Sequence, residues 1–143
     1  MIISNKNVQG GFSLVEIMIA VAIMAMVATA GITLFTAQQD RAKKQAAQVT
    51  LRQLRNAIDT FHEDTGEYPQ SLRDLVTRPS DDKLAKNWQD GGYLSGKKVP
   101  KDPWQSSYQY QVTPEEEHPY KLYSYGKNKK RAQKSELISA WKE

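Results

Sequence analysis

The chain has no cysteine and only two histidines, His62 and His118, which excludes several kinds of site. Without cysteine it can form no disulfide, no thiolate metal site and no cysteine nucleophile. The two histidines do not stand at the spacing of metal ligands, and the sequence contains no phosphate-binding glycine loop and no nucleophile elbow. We therefore predict that the protein is not an enzyme.

A strong charge of one sign is also lacking. Lysine and arginine number 20 against 16 acidic residues, which gives a formal net charge of +4. No motif interleaves the basic residues with aromatic ones, as nucleic-acid-binding surfaces do, so we expect no nucleic-acid partner. The acidic run Glu115 to Glu117 is predicted to be a solvated turn and not a site, since clustered charges usually face water.

Proline is absent between Phe12 and Glu67, which permits one long helix ending near Gly66. Residues 12–35 are almost wholly apolar and, at about 1.5 Å per residue, are long enough for a bilayer of about 30 Å, so we predict a transmembrane helix there. From there to about residue 64 the helix is predicted to be amphipathic, because apolar residues recur at four- and three-residue spacings. The residues of this stripe are Ala47, Leu51, Leu54, Ile58 and Phe61.

The polar residues 1–11 are predicted to be a leader peptide. They end in Gly10 and Gly11, which offer a flexible segment to a peptidase at the membrane face. A secretory signal peptide is disfavoured, because its apolar region is typically about 7 to 15 residues long and ends at a small-x-small site. We expect cleavage between Gly11 and Phe12.

Glu16 places a carboxylate within the apolar run. An unpaired carboxylate in hydrocarbon costs on the order of a few kcal/mol, so Glu16 needs a partner. Cleavage after Gly11 would create a positive α-amino group on Phe12, and in a packed array the amine of one copy could neutralise Glu16 of its neighbour. The alternative is that Glu16 reaches the headgroups from the end of the span.

The segment from Gly11 to Glu16, GFSLVE, stands directly before an apolar span. It resembles the processing and N-methylation motif of type IV pilins and type II secretion pseudopilins. The resemblance implies that a prepilin peptidase cuts after Gly11, that Phe12 becomes N-methylated and that Glu16 guides assembly.

Further segments resemble the major pseudopilins of type II secretion, the general secretion pathway protein G family, over nearly the whole chain. These segments are Asp64 to Pro69, Leu75 to Pro79, Trp88 with Gly91 to Leu94, Pro100 to Trp104, and Tyr123 to Gly126. The resemblance also implies structural roles for individual residues. They are Tyr68, Pro69, Pro103, Trp104 and Trp141.

We predict an α+β, pilin-like fold, in which the long helix packs on a small antiparallel sheet with a C-terminal loop, residues 36–143 forming the domain. Ser71 to Asp74 has the form of a capping box and predicts a short helix through Val76. Residues 80–98 are predicted to be a loop that packs through its large side chains. Strands at 108–112 and 120–123 are predicted to form a hairpin with tyrosines on one face. The packing side chains of the loop are Trp88, Tyr93 and Leu94.

The C-terminal loop departs from the family, in which an aspartate-rich loop holds calcium. Such a site needs about six to eight oxygen ligands, whereas Lys127, Lys129 and Lys130 stand in this loop. We therefore predict no metal, with calcium a disfavoured alternative. An ammonium group could bond the carbonyls that would hold the ion. The other options are a solvated basic loop or a short helix from Ser135 to Trp141.

The resemblance implies a structural subunit of the type II secretion pseudopilus. In this filament the chain polymerises with itself, as a homopolymer, and other pseudopilins join it. Its implied partners are the prepilin peptidase, an inner-membrane platform with an ATPase, an outer-membrane secretin and exported proteins. The implied location is the bacterial inner membrane with the domain in the periplasm, although Arg41, Lys43 and Lys44 would favour the cytoplasm by the positive-inside rule. The alternatives are a type IV pilin and an anchored binding module that does not polymerise.

Overall fold

The computed structural model describes residues 10–141, without the side chains of residues 30–34. Residues 1–9 of the predicted leader therefore lie outside the described residues, and so do five side chains of the predicted span 12–35. The chain divides into two compact units, the first ending at Gln39 and the second beginning at Asp40.

The predicted long helix is confirmed as α1, Leu14–Thr65. It ends where expected, because Gly66 adopts a left-handed backbone with φ of +80° and donates its N–H to the carbonyl of His62 at 2.8 Å. In the first unit the large apolar side chains of this helix are exposed, from Leu14 at 77% to Val27 at 67%. Within the described part of the chain, no helix is both long enough and apolar enough to cross a membrane.

The second half of α1 supplies one wall of the core. All five residues of the predicted stripe, from Ala47 to Phe61, are at most 1% exposed. They pack with Leu75, Tyr108, Tyr120 and Leu122 in one apolar cluster. The amphipathic pattern therefore predicted the buried face correctly.

Two short helices follow α1. A 3-10 helix, Leu72–Leu75, begins as predicted after Ser71, whose N–H donates to Oδ2 of Asp74 at 2.9 Å. The second, α2, spans Asp82–Ala85 inside the segment predicted to be a loop. Its turn forms because the Asp81 carboxylate accepts the N–H of Lys83, and burial of Leu84 fastens it to the core.

A three-stranded antiparallel sheet covers the helix in the order β1-β2-β3. Strands β1, Gln109–Val112, and β2, Tyr120–Ser124, form the predicted hairpin. Strand β3, Ile138–Ser139, pairs with β2 and was not predicted. The suggested helix from Ser135 to Trp141 is wrong. Short 3-10 turns occupy Gly126–Arg131, with a kink at Lys129, and Lys134–Glu136, and the chain then extends along β2. An isolated helix of two turns is marginal, whereas a strand on β2 buries Ile138.

Candidate processing and assembly sites

The predicted cleavage site lies outside α1. Residues Gly10 to Ser13 precede the helix and are not helical, and Gly11 is exposed. No atom lies within 4 Å of the point where a side chain on Gly11 would begin, and Phe12 is 79% exposed. The Gly11–Phe12 peptide bond is therefore accessible in a segment that is not helical.

Glu16 lies in the first turn of α1 and its side chain faces solvent. The helix N-terminus carries a partial positive charge, which favours a carboxylate at this position. Among residues 10–141 no ion pair includes Glu16. Phe12 precedes Glu16 by four residues. A charge on the backbone nitrogen of Phe12 would therefore lie about one helical turn, on the order of 5 Å, from Glu16 along the axis.

The loop between β2 and β3 is tied to α1 by an ion pair. The Lys127 ammonium lies 2.7 Å from Oδ2 of Asp40. This hydrogen bond holds the pKa of Asp40 below its usual value of 3.8. The partner of Lys127 is therefore a carboxylate of the helix, in contrast to the loop carbonyls suggested for an ammonium group from the sequence.

A second carboxylate closes the same loop from within. Glu136 accepts the N–H of Gln133 at 2.9 Å and the side-chain amide of Asn128 at 3.0 Å. These two hydrogen bonds lower the pKa of Glu136 from its usual 4.5, and the bond from the backbone of Gln133 has the larger effect. Lys129 has a left-handed φ of 51°, which lets the loop turn between Asn128 and Gln133.

The loop does not fit a calcium ion. Calcium takes six to eight oxygen ligands, several of them carboxylates. Within residues 10–141 no cluster of three or more histidine or acidic side chains could hold a metal, and Glu136 is already engaged by two N–H donors. The absence of a metal here, with calcium as a disfavoured alternative, stays a prediction.

Two family models match different parts of the chain. The prokaryotic N-terminal methylation motif matches residues 6–32, and protein G of the type II secretion system matches residues 34–141. The chain belongs to the type II secretion system protein G family. The resemblance noted in the sequence is thereby confirmed.

Characterised relatives carry the same family name. The type II secretion system core protein G of Pseudomonas aeruginosa is 37% identical over 124 residues, which cover 85% of each chain. Its counterpart in Escherichia coli K12 is 36% identical over 121 residues, covering 82% of this chain and 81% of the relative. The crystal structure of the major pseudopilin from the type 2 secretion system of enterohaemorrhagic Escherichia coli superposes with a TM-score of 0.62 at 27% identity, covering 74% of this chain and 92% of that one.

Trp141, one of the residues expected to be structural in this protein G family member, contacts both the sheet and α1. The indole N–H of Trp141 donates to the carbonyl of Tyr120 at 2.9 Å, and its ring stacks on His118 at 4.2 Å. The guanidinium of Arg55 lies 4.2 Å from the Trp141 ring, in a cation–π geometry. Trp141 therefore links β2, the β1–β2 turn and the helix.

The other expected structural residues form the junctions of the domain. Tyr68 stacks on His62 at 4.0 Å, and the carbonyl of the buried Pro69 accepts the hydroxyl of Tyr110 at 2.9 Å. Pro103 and Trp104 form a turn before β1 and are half-buried. Their roles stay predictions, because only measurements on variants test them.

Asp102 was not predicted as a site residue, yet it is only 1% exposed. Its Oδ1 accepts the N–H groups of Trp104 and Ser106 at 3.0 and 2.7 Å, and its Oδ2 accepts the hydroxyl of Ser124 at 2.6 Å. Ser124 in turn accepts the N–H of Gly126 at 2.9 Å. The Asp-Pro dipeptide was a usable signal, because aspartate side chains commonly bond the backbone two residues on.

Proposed function

We propose that this protein is a major pseudopilin, a structural subunit that is cut by a prepilin peptidase and polymerises into the pseudopilus of a type II secretion system. Membership of the protein G family supports this role. The observation that carries it is the combination at the N-terminus: an accessible Gly11–Phe12 bond, a helix that exposes its apolar side chains, and Glu16 in the first turn.

The exposed apolar face gives the proposal its mechanism. Side chains from Leu14 to Val27 that stay 48–77% exposed in one chain would be buried by neighbouring copies or by lipid. We assign residues 12–35 to inner-membrane anchoring before assembly and to the filament core afterwards, with the domain in the periplasm. After cleavage, the α-amino group of Phe12 of one copy would pair with Glu16 of the next and fix their register.

The partners follow from this assignment. The prepilin peptidase acts at Gly11–Phe12 and methylates Phe12. An inner-membrane platform with its ATPase adds copies, other pseudopilins join them, and the fibre moves exported proteins toward the outer-membrane secretin. We assign the protein no catalytic activity. We also assign it no calcium, since side chains of the loop from Gly126 to Glu136 bond one another and Asp40 of α1.

Mass spectrometry of the N-terminus tests the processing step. Protein recovered from its native membrane should begin at methylated Phe12, and the Gly11→Val variant should keep residues 1–11, because a branched side chain at Gly11 blocks the peptidase. Gly10→Val is the matched control and should still be cleaved. An uncut wild-type N-terminus, or cleavage beyond Phe35, would contradict the assignment.

Assembly is tested separately, and it distinguishes the pseudopilin from an anchored binding module. Glu16→Gln should abolish filaments seen by electron microscopy, since the buried charge partner is lost, while Glu63→Gln, an exposed carboxylate further along the same helix, should leave them intact. An anchored module would be indifferent to both changes. Long surface fibres in cells lacking the secretin would favour a type IV pilin.

A further inference from the structure

The loop that follows β2 forms a positively charged cleft. We call residues 126–134 the basic loop, because five of its residues are lysine or arginine. Side chains from Lys127 to Arg131 line an open cleft of about 740 Å³, together with Ser106, Ser107, Gln109 and Tyr125. Within the described residues, Lys127 is paired with Asp40, whereas Lys129, Lys130 and Arg131 have no acidic partner. The cleft therefore carries uncompensated positive charge.

The turn that precedes β2 carries the opposite charge. We call residues 113–119 the acidic turn, because Glu115, Glu116 and Glu117 all lie in it and are exposed. Glu116 accepts the ammonium of Lys121 at 2.6 Å. In the described part of the chain Glu115 and Glu117 have no basic partner. Two carboxylates of the turn are therefore available to another molecule.

The two charged segments lie at opposite ends of the second unit. Strand β2 joins them, and its contacts with α1 give the direction: Tyr120 at its start donates to Asp59 at 3.0 Å, and Lys127 beyond its end binds Asp40 at 2.7 Å. Asp40 and Asp59 are about five helical turns apart, or on the order of 28 Å along the axis. The acidic turn thus lies toward the C-terminal end of α1 and the basic loop toward Asp40.

We propose that the basic loop of one copy receives the acidic turn of a second copy, so that the domains contact head to tail along the filament. The inference rests on the proposed function, because it requires polymerisation. Opposite charges at opposite ends complement each other only between copies that point the same way, and antiparallel copies would bring like charges together. A heterologous contact of this kind generates an open fibre when the rotation between successive copies does not close into a ring.

A second copy is favoured over other occupants by what each chain supplies. Every copy carries both the cleft and a turn of the complementary charge, so the two are present in equal number at every step of growth. The contact would act beside the apolar helices, which attract without direction, and would select polarity and axial spacing. Anionic lipid headgroups and acidic proteins are the other occupants, and the test separates them.

Cysteine cross-linking tests the contact directly, because the natural chain contains no cysteine and any disulfide is therefore engineered. Glu115→Cys and Lys130→Cys are placed together in the full-length chain and filaments are oxidised mildly. We expect a ladder of disulfide-linked dimers, trimers and higher oligomers. A mixture of the two single variants should stop at dimers. Glu115→Cys with Lys98→Cys, an exposed lysine of the 80–98 segment, is the matched control and should give no ladder.

Charge exchange supplies the second arm. We reverse the charge of one side at a time, by Glu115→Lys with Glu117→Lys or by Lys129→Glu with Lys130→Glu. Either pair of changes should reduce the filament yield about tenfold. A single exposed ion pair is weak, but each double change replaces two attractions between copies by two repulsions. All four changes together should restore the yield to within about twofold. Lys86→Glu with Lys98→Glu changes the net charge equally and should have no effect. Thermal unfolding of each variant verifies that the domain is folded.

The outcomes separate this contact from the proposed function. Wild-type filaments that give no ladder, and that tolerate both reversals, overturn the contact and leave the pseudopilin assignment standing. Two further results would also overturn the contact between copies. If no ladder forms and charge reversal in the basic loop weakens binding to anionic vesicles, the cleft binds lipid headgroups. If no ladder forms and the cysteine cross-links to another protein, the cleft binds that protein. A wild-type chain that forms no filament in its native membrane overturns the function and the contact together.

Discussion

Asp102 and Ser124 link two segments that are distant in sequence. Through them the turn before β1 is joined to the end of β2 and to Gly126, the first residue of the basic loop. Because Asp102 is fully buried, each of its bonds replaces water that the carboxylate has lost, and removal of one partner exposes the desolvation cost. This residue therefore contributes more to stability than its place in a loop indicates.

Asp102→Asn should destabilise the domain by about 1 to 3 kcal/mol. The amide oxygen of the new asparagine can accept the two backbone N–H groups. Its NH₂ group, however, would face the hydroxyl of Ser124, and the hydroxyl proton would lose its acceptor. Urea unfolding of the full-length chain in detergent, followed by tryptophan fluorescence, measures the change. Asp90→Asn, at an exposed position, is the control, and an equal midpoint for the two variants would refute the role assigned to Asp102.

Among the connecting elements, the segment between α2 and β1 depends on Gly92. Its φ is +80°, and a Cβ placed there would lie 2.8 Å from the carbonyl oxygen of Leu75. That same oxygen accepts the N–H of Tyr93 at 2.7 Å, so the close approach is part of how the segment joins the core.

Gly92→Ala should lower the unfolding free energy by about 1 to 3 kcal/mol, since both the left-handed backbone and the contact with Leu75 become strained. Gly96→Ala is the matched control, because no atom lies within 4 Å of its added methyl group. Denaturant midpoints of the two variants provide the comparison. A midpoint for Gly92→Ala as high as that for Gly96→Ala would show that the segment can shift to relieve the strain.

The β2–β3 connection should be ordered without calcium. The two carboxylates bonded to it, Glu136 of the loop and Asp40 of α1, are satisfied by Lys127, Asn128 and Gln133. Replacing calcium by a chelator should therefore leave the melting temperature unchanged. Differential scanning fluorimetry in the two buffers measures this. A rise in melting temperature that saturates with added calcium, and is absent with magnesium, would reveal a site for the ion.

Acid should loosen the same connection. The pKa values of Asp40 and Glu136 lie below 3.8 and 4.5, so the unfolded chain binds their protons first and the stability that these groups add above those values is lost as pH falls. The melting temperature should therefore drop between about pH 4.5 and pH 2, with a smaller drop in Glu136→Gln than in Glu115→Gln. Equal drops in the two variants would contradict this role of Glu136.

Elements with a regular pattern were predictable, and those that depend on one tertiary contact were not. The stripe from Ala47 to Phe61 repeats over four turns, and Ser71 with Asp74 has the form of a helix start, so both were read correctly. Strand β3 has two residues and therefore no alternation to detect. It exists because the edge of β2 offers unpaired backbone groups and a place for Ile138.

The candidate sites divide in the same way. Gly11, Phe12 and Glu16 could be predicted as candidates because a short motif carries them, and their roles stay predictions. The Lys127–Asp40 pair could not be foreseen, since the two residues are brought together only when β2 packs antiparallel to α1. Nothing local to Lys127 distinguishes it from the other lysines of the loop.

At the scale of the whole domain, tyrosine rings fill much of the space between sheet and helix. Burial raises the pKa of Tyr120, with its hydrogen bond to Asp59 the next cause, and burial likewise raises the pKa of Tyr110. A raised pKa means that the unfolded chain releases these protons first. The stability that these two tyrosines contribute is therefore fully present below about pH 10 and is lost as the pH rises further.

Alkaline titration should consequently unfold the domain in one step. Absorbance of tyrosinate at 295 nm should rise for the buried tyrosines together with the loss of near-ultraviolet circular dichroism, above pH 10. Tyr120→Phe removes one such group and should make the loss of stability with pH less steep. Ionisation of all seven tyrosines near pH 10 with the circular dichroism unchanged would refute the coupling.

The position of β3 in the chain has a consequence for the order in which the domain can form. Tyr120 lies in the middle of the core, yet Trp141 and the residues before it supply its last neighbours. During synthesis, residues 138–141 are made after the other helices and strands that the structure describes. The core therefore stays open on one side until they arrive, and a chain halted before that point would present its central strand to chaperones or proteases.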